Sequence, residues 1–127
     1  MTALDWREIP ELEYVDLQDS SVLSWSEIAH SLKFRLEASL WPGHADYSDP
    51  KPNEHTCYKI AELVFTNTFR VDGLLSMADV VPASNTDGSV DYGAIDTMQR
   101  DANGVWLICG DFGSVRVHCG DCTFRTL

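Results

Sequence analysis

The stretch LKFRLEASL, residues 32–40, carries an apolar side chain at every second position and a polar one at each position between. Successive side chains of a β-strand point to opposite faces, so this alternation predicts a strand with one buried face. An α-helix would also align Leu32, Leu36 and Leu40, but it would leave Phe34 on the solvent side. The strand buries all the large apolar side chains, and we therefore expect β-structure here.

Shorter segments of the same kind precede this strand. Residues 13–17 and 22–25 are short, aromatic and β-branched, and they predict two strands. The polar residues 18–21 between them suit a turn. After the central strand, the sequence WPG at residues 41–43 ends the extended segment and opens a proline-rich surface loop of about fifteen residues.

The middle of the chain predicts further strands and a second loop. Residues 57–65 return to strand character, and residues 69–75 are expected to continue it beyond a turn at Asn67. Residues 78–93 are rich in turn-forming side chains and predict the second loop, with a short strand at residues 80–81.

The last third of the chain predicts a three-stranded meander. Asn103-Gly104 lies between two extended runs, which is a strong hairpin signal, so residues 95–100 should pair with residues 105–109. We expect residues 111–113 to form a three-residue loop, which sets Gly110 opposite Ser114. This register groups one set of side chains on the core face and a second set on the opposite face: Val105, Leu107, Cys109, Val115, Val117 and Cys119 against Trp106, Ile108, Arg116 and His118.

Eight or nine short strands with frequent turns and no strong amphipathic helix are typical of an all-β protein. The sequence predicts one antiparallel β-sandwich, or a flattened barrel, as a single domain over residues 1–127. A chain of this length can bury a sufficient core without disulfides.

The charge of the chain restricts its partners. Twenty acidic against nine basic residues give a net charge of -11, spread along the sequence. Such a surface repels phosphate backbones and anionic membranes, so we expect neither nucleic acid nor membrane as a partner. The acidity either keeps the protein soluble or attracts a basic partner. The first eight residues carry acids instead of the basic head and apolar stretch of a secretory signal, and we expect a cytoplasmic location.

The stretch HCGDC, residues 118–122, is the clearest candidate for chemistry. Cys119 and Cys122 have the spacing of a zinc knuckle, and His118 and Cys109 are the first candidates to complete a tetrahedral site, with Cys57 and His55 as further ones. A single such pair is a weak signal. We favour unlinked, buried thiols and no cofactor, and zinc and a Cys119–Cys122 disulfide remain as alternatives.

Other motifs of catalysis or ion binding fail in this sequence. Residues 85–93 resemble a calcium loop, but an EF-hand alignment puts Ala83 and Ala94 at its two anchoring ligand positions. The chain has no Gly-x-Ser-x-Gly elbow and no metalloprotease histidine pair. An enzyme would have to use a cleft between the proline-rich loop and residues 87–96, and we expect no enzymatic activity.

Two features bear on partner binding. The predicted register places Trp106 and Ile108 opposite the core, and with Phe112 they would form an exposed apolar patch for a protein partner unless loops bury them. An outer strand at residues 123–127 could also pair with a second copy, which would give a homodimer.

Four short motifs give the chain a resemblance to a known group. They are ELEYVDLQDS at residues 11–20, PKPNE at residues 50–54, DYGAID at residues 91–96 and GDFG at residues 110–113. With these motifs the chain resembles a small bacterial family of uncharacterised all-β proteins. The resemblance implies the fold and the domain limits, and it implies no activity or catalytic residue.

Charge, size and the missing catalytic motifs together favour a non-enzymatic, acidic cytoplasmic protein that binds another protein, for instance as the neutralising or immunity-type partner of a basic toxin. The alternative is a zinc-binding protein that uses the cluster of His118, Cys119 and Cys122.

Overall fold

The structure, a computed structural model, describes residues 4–127, and in that part of the chain it contains eleven β-strands and three short 3₁₀ helices. The strands are β1 (Leu4–Asp5), β2 (Val15–Ile28), β3 (Ser31–Leu40), β4 (Cys57–Thr66), β5 (Arg70–Asp72), β6 (Ala83–Ser84), β7 (Val90–Asp91), β8 (Ile95–Arg100), β9 (Trp106–Gly110), β10 (Gly113–His118) and β11 (Asp121–Thr126). The 3₁₀ helices are Trp6–Glu8, Pro10–Leu12 and Met77–Asp79. The all-β class is confirmed, and the strand number exceeds the expected eight or nine because β1, β6 and β7 are two residues long.

The strands form two large antiparallel sheets that pack against each other. Sheet I has the order β1-β8-β9-β10-β5, and sheet II has the order β11-β4-β3-β2. The pair β6-β7 forms a separate small hairpin. Within residues 4–127 the sheets do not close into a barrel, so the sandwich is the observed form. Strands β8, β9 and β10 are consecutive neighbours in sheet I, which confirms the C-terminal meander.

The prediction that residues 32–40 form a strand with one buried face is confirmed. The apolar side chains of β3 point into the core and are fully buried: Leu32, Phe34, Leu36, Ala38 and Leu40. Phe34 packs on Phe65 of sheet II and on Phe112, with ring centroids 6.3 and 4.8 Å apart. Burying one large apolar side chain contributes about 1.5–3 kcal/mol to the free energy of folding. The inner face of β3 therefore contributes a large part of the hydrophobic stabilisation.

Two consecutive strand pairs cross from one sheet to the other at the same corner. After β4 in sheet II the chain turns at Asn67, which has a positive φ of 54°, and continues as β5 in sheet I. Strand β10 of sheet I continues in the same way as β11 of sheet II. Backbone hydrogen bonds tie the two crossings together, from Phe69 N to His118 O at 2.9 Å and from Gly120 N to Thr66 O at 3.0 Å.

The expected pair of strands at residues 13–25 is wrong, because β2 is one strand with a bulge. The pairing with β3 shifts register twice, at the bulge between Asp16 and Ser21 and again between Val22 and Ser24. The carboxylate of Asp16 accepts hydrogen bonds from Gln18 N and Asp19 N, at 3.1 and 3.3 Å. Ser20 Oγ donates to Asp16 O at 2.6 Å, and Ser39 N donates to Ser20 Oγ at 2.9 Å. Residues 16–20 make the hydrogen bonds of a turn, as the sequence predicts. The chain does not reverse there, because the residues on both sides pair with β3.

The predicted register of the last hairpin is also wrong. Gly110 pairs with Gly113, so the loop has two residues instead of three. The core face of the hairpin therefore carries Trp106, Ile108, Val115 and Val117, and the opposite face carries Leu107, Cys109, Ser114 and Arg116. The ring of Phe112 enters the core from the loop, and a Cβ at Gly110 would lie 2.5 Å from it. The two-residue loop and the buried Phe112 ring thus occur together in this structure.

The loops fall close to their expected positions. Residues 41–56 contain no strand, as the proline-rich sequence predicts, although Pro42 and His44 form an isolated bridge. The expected strand at residues 80–81 is wrong. The short strands lie just beyond Pro82, where β6 and β7 pair Ala83 with Asp91 and Ser84 with Val90.

Candidate functional site

The structure separates the residues of the candidate zinc site. Cys109 on β9 pairs with Ser114 on β10, and Ser114 lies four residues before His118 on the same strand. At about 3.3 Å per residue this is a separation of about 13 Å, whereas two ligands of one zinc ion lie within about 4 Å of each other. Cys109 and His118 therefore cannot share an ion. Within residues 4–127 no group of three His, Cys, Asp or Glu side chains is arranged to hold a metal ion.

Cys119 and Cys122 lie close together at the turn between β10 and β11, and both are free thiols. Burial raises the pKa of Cys119 to about 11, against the lowering effect of Arg100. Burial also raises the pKa of Cys122, and the neighbouring Cys119 raises it further. Because metal ions bind the thiolate, these shifts oppose zinc binding at the pair. The Sγ of Cys119 donates to Asp121 O at 3.6 Å instead.

The three residues of the predicted apolar patch lie in the core, and the prediction that they are exposed is wrong. Trp106 is 5% exposed, and Ile108 and Phe112 are fully buried. The Trp106 ring packs edge-on against Phe65, with centroids 5.7 Å apart. The change of register in the last hairpin explains this, because it turns β9 over. These three residues are therefore not available to a partner.

Acidic side chains from four separate segments converge at one end of the outer face of sheet II. We call this group the acidic surface: Asp19, Glu37, Glu54, Asp87 and Asp91. Glu37 points outward from β3, where it pairs with Ile60 of β4 and Ser21 of β2. The β2 bulge supplies Asp19, the loop at residues 41–56 supplies Glu54, and the β6–β7 hairpin supplies the last two.

The electrostatics of Glu37 show that these charges act on one another. Partial burial raises the pKa of Glu37, and the charges of Glu54, Asp87 and Asp91 raise it further, while Lys51 acts in the opposite direction. Like charges disfavour ionisation of a carboxyl group in this way. The acidic surface is thus a region of concentrated negative potential, which Lys51 and the contact of His55 with Asp19 offset only in part.

A hydrogen-bonded triangle fixes the edge of the acidic surface next to β4. Tyr58 Oη donates to Asp19 Oδ2 at 3.0 Å, and His55 Nε2 lies 3.1 Å from both of these oxygens. Burial and the hydrogen bond to Asp19 together with nearby acidic charges raise the pKa of Tyr58 to about 12. The Tyr58 hydroxyl therefore stays protonated and holds the Asp19 carboxylate in place.

The β6–β7 hairpin is ordered by its own side chains. Ser89 N donates to Asp87 Oδ1 at 2.9 Å, and the bonds from Ser89 lower the pKa of Asp87. Asn85 Nδ2 donates to Asp91 Oδ2, also at 2.9 Å. Val90, which is 50% exposed, lies between these two acids in sequence. The hairpin therefore presents two carboxylates that its own hydrogen bonds hold in place.

The opposite end of the same face is basic. Lys33 and Arg125 both contact the carboxylate of Glu62, at 3.4 and 2.7 Å, and Arg35 pairs with Glu62 across the sheet. The hydrogen bonds from Arg125 and the charge of Lys33 lower the pKa of Glu62. A shallow groove of about 480 Å³ crosses this end, lined by Ser26, Ile28, Ser31, Lys33, Val64, Thr66, Thr123 and Arg125. The outer face of sheet II is therefore acidic at one end and basic at the other.

The sequence did not predict the acidic surface. It did single out the proline-rich loop and residues 87–96 as neighbours of a cleft, and Glu54 and Asp87 on these loops do approach Glu37. The outward position of Glu37 follows from the alternation in β3. Contact between segments this far apart in sequence had no local signal.

Comparison of the chain with protein-family models, with curated proteins and with solved structures finds no match. The resemblance to a bacterial family therefore stays a prediction. Among residues 4–127, no helix has the length and apolar character needed to cross a membrane.

Proposed function

We propose that this chain is a non-enzymatic, acidic protein that acts by binding a basic surface of another protein. The observation that carries the proposal is the convergence of Glu37, Glu54, Asp87 and Asp91 from three separate segments, close enough to raise the pKa of Glu37. Mutual repulsion of these carboxylates costs stability. Cations from a partner relieve that repulsion when they bind.

The composition of the acidic surface supports a protein partner in particular. Two exposed valines belong to the same part of the chain: Val90, which is 50% exposed, lies in the hairpin between Asp87 and Asp91 in sequence, and Val81, which is 89% exposed, lies two residues before it. Protein interfaces combine apolar contacts with a charged rim in this way. A net charge of -11 would also speed the encounter with a basic protein by one to three orders of magnitude at low salt, on the order of what steering achieves elsewhere.

Nucleic acids and anionic membranes are poor partners for the same surface, because both are polyanions. We further propose that the protein acts in the cytoplasm. All four cysteines, which lie within the described residues, are free, as is usual for proteins of that compartment. One role consistent with these properties is neutralisation of a basic toxin, in which the acidic surface covers the toxin's cationic site.

The test compares two variants of equal net charge. One variant, Glu37→Gln with Glu54→Gln and Asp87→Asn, removes three charges from the acidic surface. The matched control, Glu11→Gln with Glu13→Gln and Asp79→Asn, removes three exposed charges elsewhere. Each variant and the wild type are immobilised in turn, and basic proteins from the native cell extract are captured and then eluted with increasing salt.

We expect a basic protein that the wild type and the control retain and that the acidic-surface variant releases at lower salt. Salt weakens such contacts because the Debye length is about 8 Å at physiological ionic strength and about 3 Å at 1 M. Equal retention by both variants, or no protein retained above background by the wild type, would contradict the proposal.

A further inference from the structure

The two sheets end in four edge strands, and they differ in how well they are protected. In sheet I the edges β1 and β5 are only two and three residues long. In sheet II the edge β2 carries a bulge, and its Val22 exchanges two hydrogen bonds of 2.8 Å with Tyr92 and Gly93. Short edges, bulges and covering segments are the devices that prevent strands from pairing between molecules.

Strand β11 is neither short nor bulged. It is covered only in part, by the 3₁₀ helix Pro10–Leu12 and by the loop at residues 41–56, from which Asp46 accepts a hydrogen bond from Thr126 Oγ1 at 2.6 Å and His44 lies against the Phe124 ring. It is six residues long, it contains no proline, and it pairs with β4 at consecutive positions from Asp121 to Thr126. Its other edge has no neighbouring strand in residues 4–127. Such a regular, open edge is a template for a further strand.

The hydrogen-bond pattern shows which backbone groups of β11 are free. Leu127 N donates to Ile60 O at 2.8 Å, and hydrogen-bonded pairs recur at every second residue of an antiparallel ladder. Thr123 and Arg125 therefore direct their N–H and C=O groups toward β4. Cys122, Phe124 and Thr126 direct theirs toward the open edge, and no backbone bond from the rest of the described chain reaches them.

The charges on β11 distinguish among the possible ways of pairing it with itself. Asp121, Thr123 and Arg125 all point to the outer face of sheet II and are exposed. A two-fold axis at Thr123 places Asp121 of each copy directly opposite Arg125 of the other. An axis at Phe124 places Thr123 opposite Arg125, and an axis at Arg125 places two like charges together. Opposite charges directly across a sheet stabilise it, and like charges destabilise it.

We propose that β11 pairs with β11 of a second copy of this chain, antiparallel and with the two-fold axis at Thr123. The four-stranded sheet II of each copy then joins the other in one eight-stranded sheet. Cys122 and Phe124 of the two copies exchange backbone hydrogen bonds. Asp121 of each copy faces Arg125 of the other, whose guanidinium also binds Glu62 of its own chain, so the ion pairs that flank the axis share Arg125 with Glu62. The contact is isologous and closed, so it stops at a dimer.

The position of the axis is tested with a disulfide trap. In this register the two Thr123 residues form a non-hydrogen-bonded pair with Cα atoms about 4.5 Å apart, which is within the range of about 4.4–6.8 Å that a disulfide requires. We expect Thr123→Cys to form a disulfide-linked dimer in air, seen on a non-reducing gel. Ser26→Cys places an exposed cysteine on the same face but on β2, at the opposite edge of sheet II from β11. Like the wild type with its four native thiols, it should give no comparable dimer.

The ion pairs are tested by charge reversal and mixing. Asp121→Arg and Arg125→Asp should each raise the dimer dissociation constant about tenfold or more, because each turns two attractive contacts into repulsive ones. A mixture of the two variants should form heterodimers, since every cross-axis pair is then again of opposite sign. Sedimentation equilibrium of each variant and of the mixture measures this.

The control is Arg35→Asp, which reverses an exposed charge on β3 of the same face and should leave the dimer unchanged. A wild-type protein that stays monomeric at 100 μM, on the order of the upper limit for weak specific association, would overturn the proposal. So would a dimer that the two charge reversals do not weaken, a mixture that fails to recover it, or a Thr123→Cys variant that is not trapped.

Discussion

The most informative single substitution is Phe112→Ala, at the two-residue loop between β9 and β10. The Phe112 ring is fully buried and lies 4.8 Å from the Phe34 ring and 5.9 Å from the Trp25 ring, measured between centroids. Removing a core phenylalanine costs about 3–5 kcal/mol, the lost transfer energy plus the cavity left behind. Since domains are stable by about 5–15 kcal/mol, we expect Phe112→Ala to lose a large part of the free energy of unfolding.

Urea unfolding followed by tryptophan fluorescence measures this loss, because Trp25 and Trp106 are buried. If Phe112→Ala does not fold, Phe112→Leu retains most of the volume and should cost roughly 1–1.5 kcal/mol. The matched control is Phe69→Ala, since Phe69 is 77% exposed and its removal should change stability by less than about 0.5 kcal/mol. Equal effects of Phe112→Ala and Phe69→Ala would refute the two-residue loop and restore the register that the sequence suggested.

Three further predictions concern ionisable groups. Because its surroundings raise the pKa of Glu37, the native state binds the proton of this carboxyl group more readily than the unfolded state, and stability falls as the pH rises. Glu37→Gln should therefore raise the urea midpoint at pH 7. It should have no effect well below the unfolded pKa of 4.5. Glu62 is the reverse case, since its lowered pKa contributes stability above pH 4.5 that is lost in acid. Glu62→Gln should lower the urea midpoint at pH 7, and the difference from the wild type should disappear as the pH falls. A difference that is independent of pH would refute the ion pairs of Glu62. The buried thiols of Cys57 and Cys122 should react with a thiol reagent only after denaturation, and elemental analysis should find no zinc; one zinc per chain with chelator-sensitive protection would reverse the assignment.

Local sequence signals predicted those elements whose structure depends on local chemistry. The alternation of residues 32–40 became β3, and Asn103-Gly104 became the β8–β9 turn, because hydrophobic periodicity and turn residues act on neighbouring positions. The β2 bulge shows the limit of this reasoning. Asp16 and Ser20 make turn-like hydrogen bonds, but pairing with β3 decides whether the chain reverses, and that pairing has no local signal.

The sites were harder to predict than the fold for a related reason. A shift of one residue at Phe112 exchanges the two faces of β9 and moves Trp106 from a predicted surface patch into the core. The acidic surface combines Asp19, Glu37 and Asp87 from segments that meet only after the sandwich has formed. Their individual side chains are ordinary surface acids, and only their proximity distinguishes them.

The claim that the acidic surface is the site of attraction for cations is tested most directly by titrating the ¹⁵N-labelled protein with a ten-residue lysine peptide and following the backbone amide shifts. We expect the largest shifts around Asp19, Glu37, Glu54 and the β6–β7 hairpin. They should vanish in the Glu37→Gln, Glu54→Gln, Asp87→Asn variant and persist in the control of equal net charge. Shifts spread evenly over all acidic residues, or shifts that survive in that variant, would show that the charge of -11 acts only as a diffuse solubilising field.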